Sequence, residues 1–261
     1  VVNVLKTPQG IQFAAQQGKT VDQVLNDSIA PSSGGDAQKT LFILIFAAIM
    51  FGGLNGVREI VKEAPIYKRE RAVNLGITPY LFSKIAILGT FSLVQSLIMV
   101  LVVNFRSPFN HSVFLPPLLE IYISLALASL AGLLTGLLIS AVVPNNDRAL
   151  SLIPLPLIPQ VIFAGVVFSL DLPQWLQIPG ALFSARWAMA AMGTTVGLHG
   201  DKLGADSFSF VSTLFSSVEP NQSIQNAAFT HLLLCWGVLL LMIVLQALAI
   251  AWLLKRKDVR K

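Results

Sequence analysis

Five apolar stretches, residues 40–57, 79–103, 118–143, 149–170 and 227–254, constrain this chain more than any other feature. A helix needs about 20 consecutive apolar residues to cross the roughly 30 Å hydrocarbon core of a bilayer. That core holds no water to bond the backbone. A crossing segment must therefore satisfy its own N–H and C=O groups, which a helix does and an open strand does not. The composition points the same way. Charged residues make up 12% of the chain, about half of the roughly 25% usual in soluble domains, and the mean hydropathy is +0.72. The expected fold class is an all-α membrane protein, a polytopic helical bundle.

The net charge of +5 could suggest nucleic acid, but its distribution argues against that partner. Lys and Arg gather in 58–84 and 255–261, both beside apolar spans. Basic residues there orient a membrane protein and meet anionic headgroups. The loop after the first span carries Arg58, Lys62, Lys68, Arg69 and Arg71, whereas the loop after the second carries only Arg106. The charged segment and the C-terminus are therefore expected on the cytoplasmic side, and residue 1 outside. Because 1–39 has no basic region followed by an apolar core, an external start implies a further span upstream, making six. Cys235 lies inside an apolar run and reads as packing.

Residues 1–39 read as an extracytoplasmic loop with a short surface helix, opened by the capping box Thr20-Val-Asp-Gln23. Gly18-Lys19-Thr20 imitates the end of a phosphate-binding loop, but Phe13 stands where that motif needs glycine. The external stretch 171–226 is apolar yet interrupted by Pro173, Pro179 and Arg186, which suggests re-entrant helices, with Trp175 and Trp187 at headgroup level. Enzyme readings fail on inventory. His111, His199 and His231 are far apart, and no H-E-x-x-H, C-x-x-C or G-x-S-x-G is present.

The charged interruption at 57–71 is the most informative stretch. Val57, Ile60, Val61 and Ala64 form an apolar stripe beneath charged residues, as an interfacial helix requires. Pro65 should break or kink it. Acids contribute little to orientation, so the interleaved Glu59, Glu63 and Glu70 suit recognition of another protein surface. Lys84, one turn into the next span, is expected to snorkel to the interface. In 149–170, Pro154, Pro156 and Pro159 leave carbonyls without partners, so the span must bend. Gln160 and Phe163 on it are candidates to line a path. Gly132, Thr135, Gly136 and Ser140 give the third span a small-residue face. Glu120, Arg186 and His231 read as solvated boundary residues, and Gln95 and Gln246 as groups that bond between helices.

Arg58-Glu59…Glu63…Ile66-Tyr67-Lys68-Arg69-Glu70-Arg71, followed by Pro79-Tyr80…Ser83-Lys84, resembles the permease domain of type-2 ABC exporters, above all the G-subfamily (White/PDR-like). Pro159…Phe163-Ala-Gly165, Leu172-Pro173-Gln-Trp175 and Ser184-Ala-Arg186-Trp187 extend the likeness, which covers roughly 39–254. Bacterial members with forkhead-associated and ATPase domains ahead of the permease are similar. The resemblance implies a half-transporter of the bacterial inner membrane that pairs with a second half, as a homodimer. It implies a coupling helix at 57–71 that docks on a nucleotide-binding domain through Arg58, Glu59, Glu63, Tyr67, Arg69, Glu70 and Arg71. Pro154, Pro156, Pro159, Gln160 and Phe163 on the bent span are the candidate substrate path, and its mainly apolar walls suggest an amphipathic or lipid-like cargo. ATP and Mg would sit on the partner domain. This chain has no phosphate-binding loop, signature motif or Walker-B strand, and no cofactor is expected in it. A membrane scaffold that only recruits a cytoplasmic partner is the alternative. A channel ranks behind both, since the spans lack acidic rings.

Overall fold

Helices surrounded by lipid gain little from hydrophobic exclusion of one another, so close packing at small residues decides which of them touch. The computed structural model describes residues 33–73, 76–109, 112–164, 179–196 and 222–257. The long helices among these are α1 (Ser33–Gly56), α4 (Ile77–Arg106), α5 (Pro117–Val142) and α9 (Gln222–Arg256). Short helices α2 (Glu59–Lys62) and α3 (Ala64–Ala72) follow α1, α6 (Asn146–Ser151) and α7 (Pro154–Phe163) follow α5, and α8 (Ser184–Val196) precedes α9. Four helices among the described residues are long and apolar enough to span a membrane, and they fall where the first, second, third and fifth apolar stretches lie.

The remaining stretch, 149–170, is not one continuous helix in its described part. The helix is interrupted by a turn at Leu152 and Ile153, between α6 and α7. Pro154 opens α7 at a position where a missing N–H costs nothing, which favours starting a helix there over continuing one. Residues 165–170, the expected loop helix in 1–32, and Trp175 lie outside the described residues.

Helix α5 is the hub. In its most apolar window 67% of residues are buried, against 22% for α4 and 17% for α9, which expose Phe82, Phe91, Phe105, Leu241, Leu245 and Leu248. Helix α1 runs beside α5 in the same direction, and glycines meet along the seam. Gly52-x-x-x-Gly56 of α1 faces Gly132-x-x-x-Gly136 of α5. A methyl group added at Gly52 would overlap the Ser129 carbonyl oxygen; at Gly56, that of Leu133; at Gly132, that of Ile49; and at Gly136, that of Gly53. The two backbones are in direct contact. Side-chain hydrogen bonds pin the neighbours: Asn55 Nδ2 donates to Gln95 Oε1 (2.8 Å), Trp236 Nε1 to Ser124 Oγ (2.8 Å), and Gln246 Nε2 to Thr135 Oγ1 (3.1 Å). Gln95 and Gln246 thus bond between helices, as their depth suggests. Each such bond is worth about 0.6 kcal/mol in a membrane.

The boundary residues Glu120, Arg186 and His231 are not solvated. They are 0%, 2% and 4% exposed. The Glu120 carboxylate accepts from the backbone N–H groups of Val113 (3.1 Å), Phe114 (2.7 Å) and Leu115 (2.8 Å), holding the loop over the start of α5. His231 Nδ1 is 2.9 Å from Thr194 Oγ1. Helix α8 is too short to cross a membrane, and residues 184–195 are buried among α1, α5 and α9. Trp187 is enclosed by protein; its indole N–H donates to the Ala181 carbonyl at 2.8 Å.

Gly132→Leu is expected to prevent assembly, because its neighbour is a carbonyl that cannot move aside, and overpacking costs at least about 1–3 kcal/mol. Gly237→Leu should be tolerated, since nothing lies within 4 Å of its added Cβ. Size-exclusion profiles of detergent-extracted protein would show loss of the monodisperse peak for the first variant and its retention for the second; equal profiles would refute the backbone seam.

Candidate coupling site at the charged segment

The charged segment leaves α1 immediately after Gly56, where the glycine seam ends. Val57 is fully buried, and Ile60 and Val61 are 5% and 9% exposed, packed against the last turns of α5 and against Val143 and Ala149. The apolar stripe read from the sequence is the anchoring face of α2. The break comes at Glu63, two residues before Pro65, which sits in the first turn of α3 and initiates it. The segment is thus two short helices, not one.

Helix α2 lacks a capping side chain of its own. Its orphan N–H groups are satisfied from elsewhere: Ser140 Oγ, near the end of α5, accepts from the Ile60 N–H (3.0 Å) and the Val61 N–H (2.9 Å). This is an N-cap supplied in trans, across about 80 residues of chain. At the other side, Lys84 Nζ of α4 donates to Glu59 Oε1 (3.1 Å) and Glu63 Oε1 (2.6 Å), while Lys62 pairs with Glu59 at 2.9 Å. The Lys84 and Glu59 side chains are each 16% exposed and that of Glu63 is 28%. Exposed ion pairs contribute only about 0–1 kcal/mol. In this sheltered position solvent screens less, and removing Lys84 would leave Glu63 without its counter-charge and Glu59 with Lys62 alone. The rings of Tyr67 (α3) and Tyr80 (α4) lie 4.6 Å apart and extend the same joint.

The seven residues expected to couple therefore divide by orientation. Glu59, Glu63 and Tyr67 turn inward and tie the segment to α4. Arg58, Arg69 and Glu70 are exposed, as is Lys62, and Arg71 is half-buried. Lys84, expected to reach toward the interface, is the centre of the ion-pair network with Glu59 and Glu63 of the segment. Two groups escaped sequence reading. Ser140 carried a signal only as a small residue for packing, with no hint that its hydroxyl caps a distant helix. Lys257, read as an orientation signal, donates to the Ala141 (2.6 Å) and Val142 (2.9 Å) carbonyls and so caps the C-terminus of α5, where a cation also suits the helix dipole.

The expected path residues are gathered on α7 but do different things. Pro154 is exposed, and Pro156 and Pro159 are half-buried. Gln160 is 5% exposed, and its Oε1 accepts from Ser184 Oγ (3.1 Å) and the Ala185 N–H (2.9 Å), fixing the start of α8. Phe163 stacks on Phe183 at 5.2 Å. Pro156 and Gln160 also border a narrow crevice shared with Met50, Gly53 and Thr135.

The described residues form a bundle of four candidate membrane spans with a charged segment strapped to its core. Residues 10–194 match the family model described as ABC-2 type transporter, which is more than half of the chain. The chain belongs to that family and is a permease domain of an ABC transporter. It is 29% identical over 181 residues to an ABC transporter ATP-binding/permease protein of Mycobacterium tuberculosis, a match covering 64% of this chain and 20% of that protein. The chain thus corresponds to about a fifth of the length of that relative.

Ser140→Ala would leave two buried N–H groups without an acceptor, a cost of about 1–3 kcal/mol. Hydrogen–deuterium exchange should show at least about tenfold faster exchange at residues 59–62, equivalent to about 1.4 kcal/mol, with α5 residues 121–134 unchanged. Unaltered exchange at 59–62 would remove Ser140 from the joint.

Proposed function

We propose that this permease domain belongs to an ATP-driven exporter, and that the segment 57–71 receives force from a nucleotide-binding domain holding ATP and Mg. The observation that supports this reading is the division of labour within the segment. Its inner face is fastened to α5 through Ser140 and to α4 through Lys84, while Arg58, Arg69 and Glu70 stand exposed. A push on the exposed face would reach two spans through short, sheltered contacts instead of dissipating in a loop. The pairing of ATP-binding and permease functions in the name of the mycobacterial relative is consistent with such a partner.

In this reading the segment and the C-terminus are cytoplasmic, the protein sits in a bacterial inner membrane, and two halves associate as a homodimer. Closure of the nucleotide-binding domains tilts α4 and α5, and α1, in backbone contact with α5, follows. The α1 and α7 faces then alternate between the two sides. Pro154, Pro156, Pro159, Gln160 and Phe163 border the path. The cargo is amphipathic or lipid-like, because the faces available to it are mainly apolar.

The test uses the full native polypeptide in nanodiscs with spin labels on α1, comparing nucleotide-free and ATP-trapped states. Wild type should show a nucleotide-dependent distance change. Arg69→Glu with Glu70→Lys should abolish that change while ATP hydrolysis stays within about twofold, because neither side chain is in the ion-pair network. Glu63→Lys should instead lower the yield of folded protein, since it opposes Lys84. No nucleotide-dependent change in wild type would favour the membrane-scaffold reading; an unaltered change in the double variant would remove Arg69 and Glu70 from coupling.

A further inference from the structure

At the end of the bundle away from the charged segment, the loop between α4 and α5 is built unlike one meant for water. Arg106 is the single charged residue from 85 to 119. The loop's backbone donors are taken by the protein itself. The Ser107 N–H bonds the Val103 carbonyl (2.8 Å), that of Phe109 bonds Asn104 Oδ1 (3.2 Å), and those of Val113, Phe114 and Leu115 all go to the buried Glu120 carboxylate. Pro108 and Pro116 have no N–H to place. Phe109 and Val113 pack inward on the bundle. Phe114 turns the other way. It is 45% exposed, and its ring meets Phe229 edge-on at 5.0 Å and Trp236 at 5.9 Å. Phe229 shares one face of α9 with Leu233, Leu240 and Val244, each 40% to 52% exposed, so the loop's apolar edge runs on into the uncovered face of that helix.

We infer that this loop is a lipid-binding surface, with Phe114 and the adjoining Phe229 and Leu233 of α9 set into the headgroup–acyl boundary of the leaflet at that end of the bundle. Irregular backbone is tolerated at such depth only where its polar groups have partners inside the protein. Glu120 supplies that condition, since its carboxylate is turned inward and gathers three loop amides at once. Phe and Leu side chains are the kind that enter this boundary, while Arg106, exposed at the end of α4, suits a lipid phosphate. Asn110 and His111, the polar residues at the middle of the loop, lie outside the described residues. Helix α5 leaves little of its own surface uncovered, and the loop runs straight into its first turn at Pro117. An embedded loop therefore sets the depth of the central helix in the leaflet. The inference concerns the position of the loop and stands whether or not the segment 57–71 couples to an ATPase.

The experiment places a nitroxide at Phe114→Cys, and separately at Phe229→Cys, in the full native polypeptide in phosphatidylcholine nanodiscs, with any accessible native cysteine replaced; Cys235 is buried and escapes the label. Power saturation then compares collision with oxygen, which concentrates in lipid, against a nickel chelate, which stays in water. Leu241→Cys, on the uncovered face of α9, and Asp147→Cys, exposed at the opposite end, serve as references. The oxygen-to-nickel ratio at both test positions should exceed that at Asp147→Cys by at least about fivefold. A ratio equal to that at Asp147→Cys would put the loop in water and overturn the inference. So would low accessibility to both reagents, which would mean that protein covers the patch. Glu120→Gln, which weakens the grip on the loop amides, should lower the ratio at position 114 by at least about threefold and leave that at 241 unchanged. An unaltered ratio at 114 would overturn the part assigned to the carboxylate. Should Glu120→Gln fail to fold, the ratios in the protein with Glu120 intact decide the position of the loop by themselves.

Discussion

Direct contact between the backbones of α1 and α5 is the constraint on which the other features depend. Four glycines permit it, and at each of them a single added carbon would collide with a carbonyl oxygen of the opposite helix. In lipid this kind of intimacy replaces the hydrophobic drive available to soluble proteins. Its position matters as much as its strength. The seam ends at Gly56, and the next residue, Val57, is already buried against the end of α5. The departure point of the charged segment is thereby fixed on the central helix, within reach of the Ser140 hydroxyl.

From that point electrostatics sorts the segment. Glu59 and Glu63 sit one helical turn apart and can both reach Lys84, the one cation that α4 presents from inside its first two turns. Pairing takes these acids out of the exposed set and leaves a surface made mostly of Arg58, Lys62 and Arg69 with Glu70 among them. Three kinds of attachment then converge on the same place: apolar burial, capping in trans, and sheltered ion pairs. Each is modest alone. Together they make the segment an extension of the bundle.

The opposite end follows the same economy of satisfied polar groups. Glu120 gathers the amides of a loop, Gln160 caps α8, and His231 meets Thr194. Polar side chains near span ends looked like boundary groups because hydropathy assigns depth along the chain and nothing else. Whether such a group faces water or a neighbouring loop depends on what folds over it. Here α8 and the loop at 112–116 do so, and a buried polar group then requires a partner.

The sequence by itself determined the membrane class, four of the five spans, the amphipathic anchoring of the charged segment and its kinship with transporter permeases. Those features rest on local length, periodicity and residue type, which a chain carries wherever it folds. The small-residue face of the third span was visible too, although not that Gly52 and Gly56 would seat on it. Only the tertiary structure decided which carboxylates turn inward, which serine caps α2, and where α7 separates from α6. Those outcomes depend on hydrogen bonds and ion pairs between residues 20 to 80 or more positions apart. Partners at such separations are chosen by how the helices pack, and no local pattern records that choice.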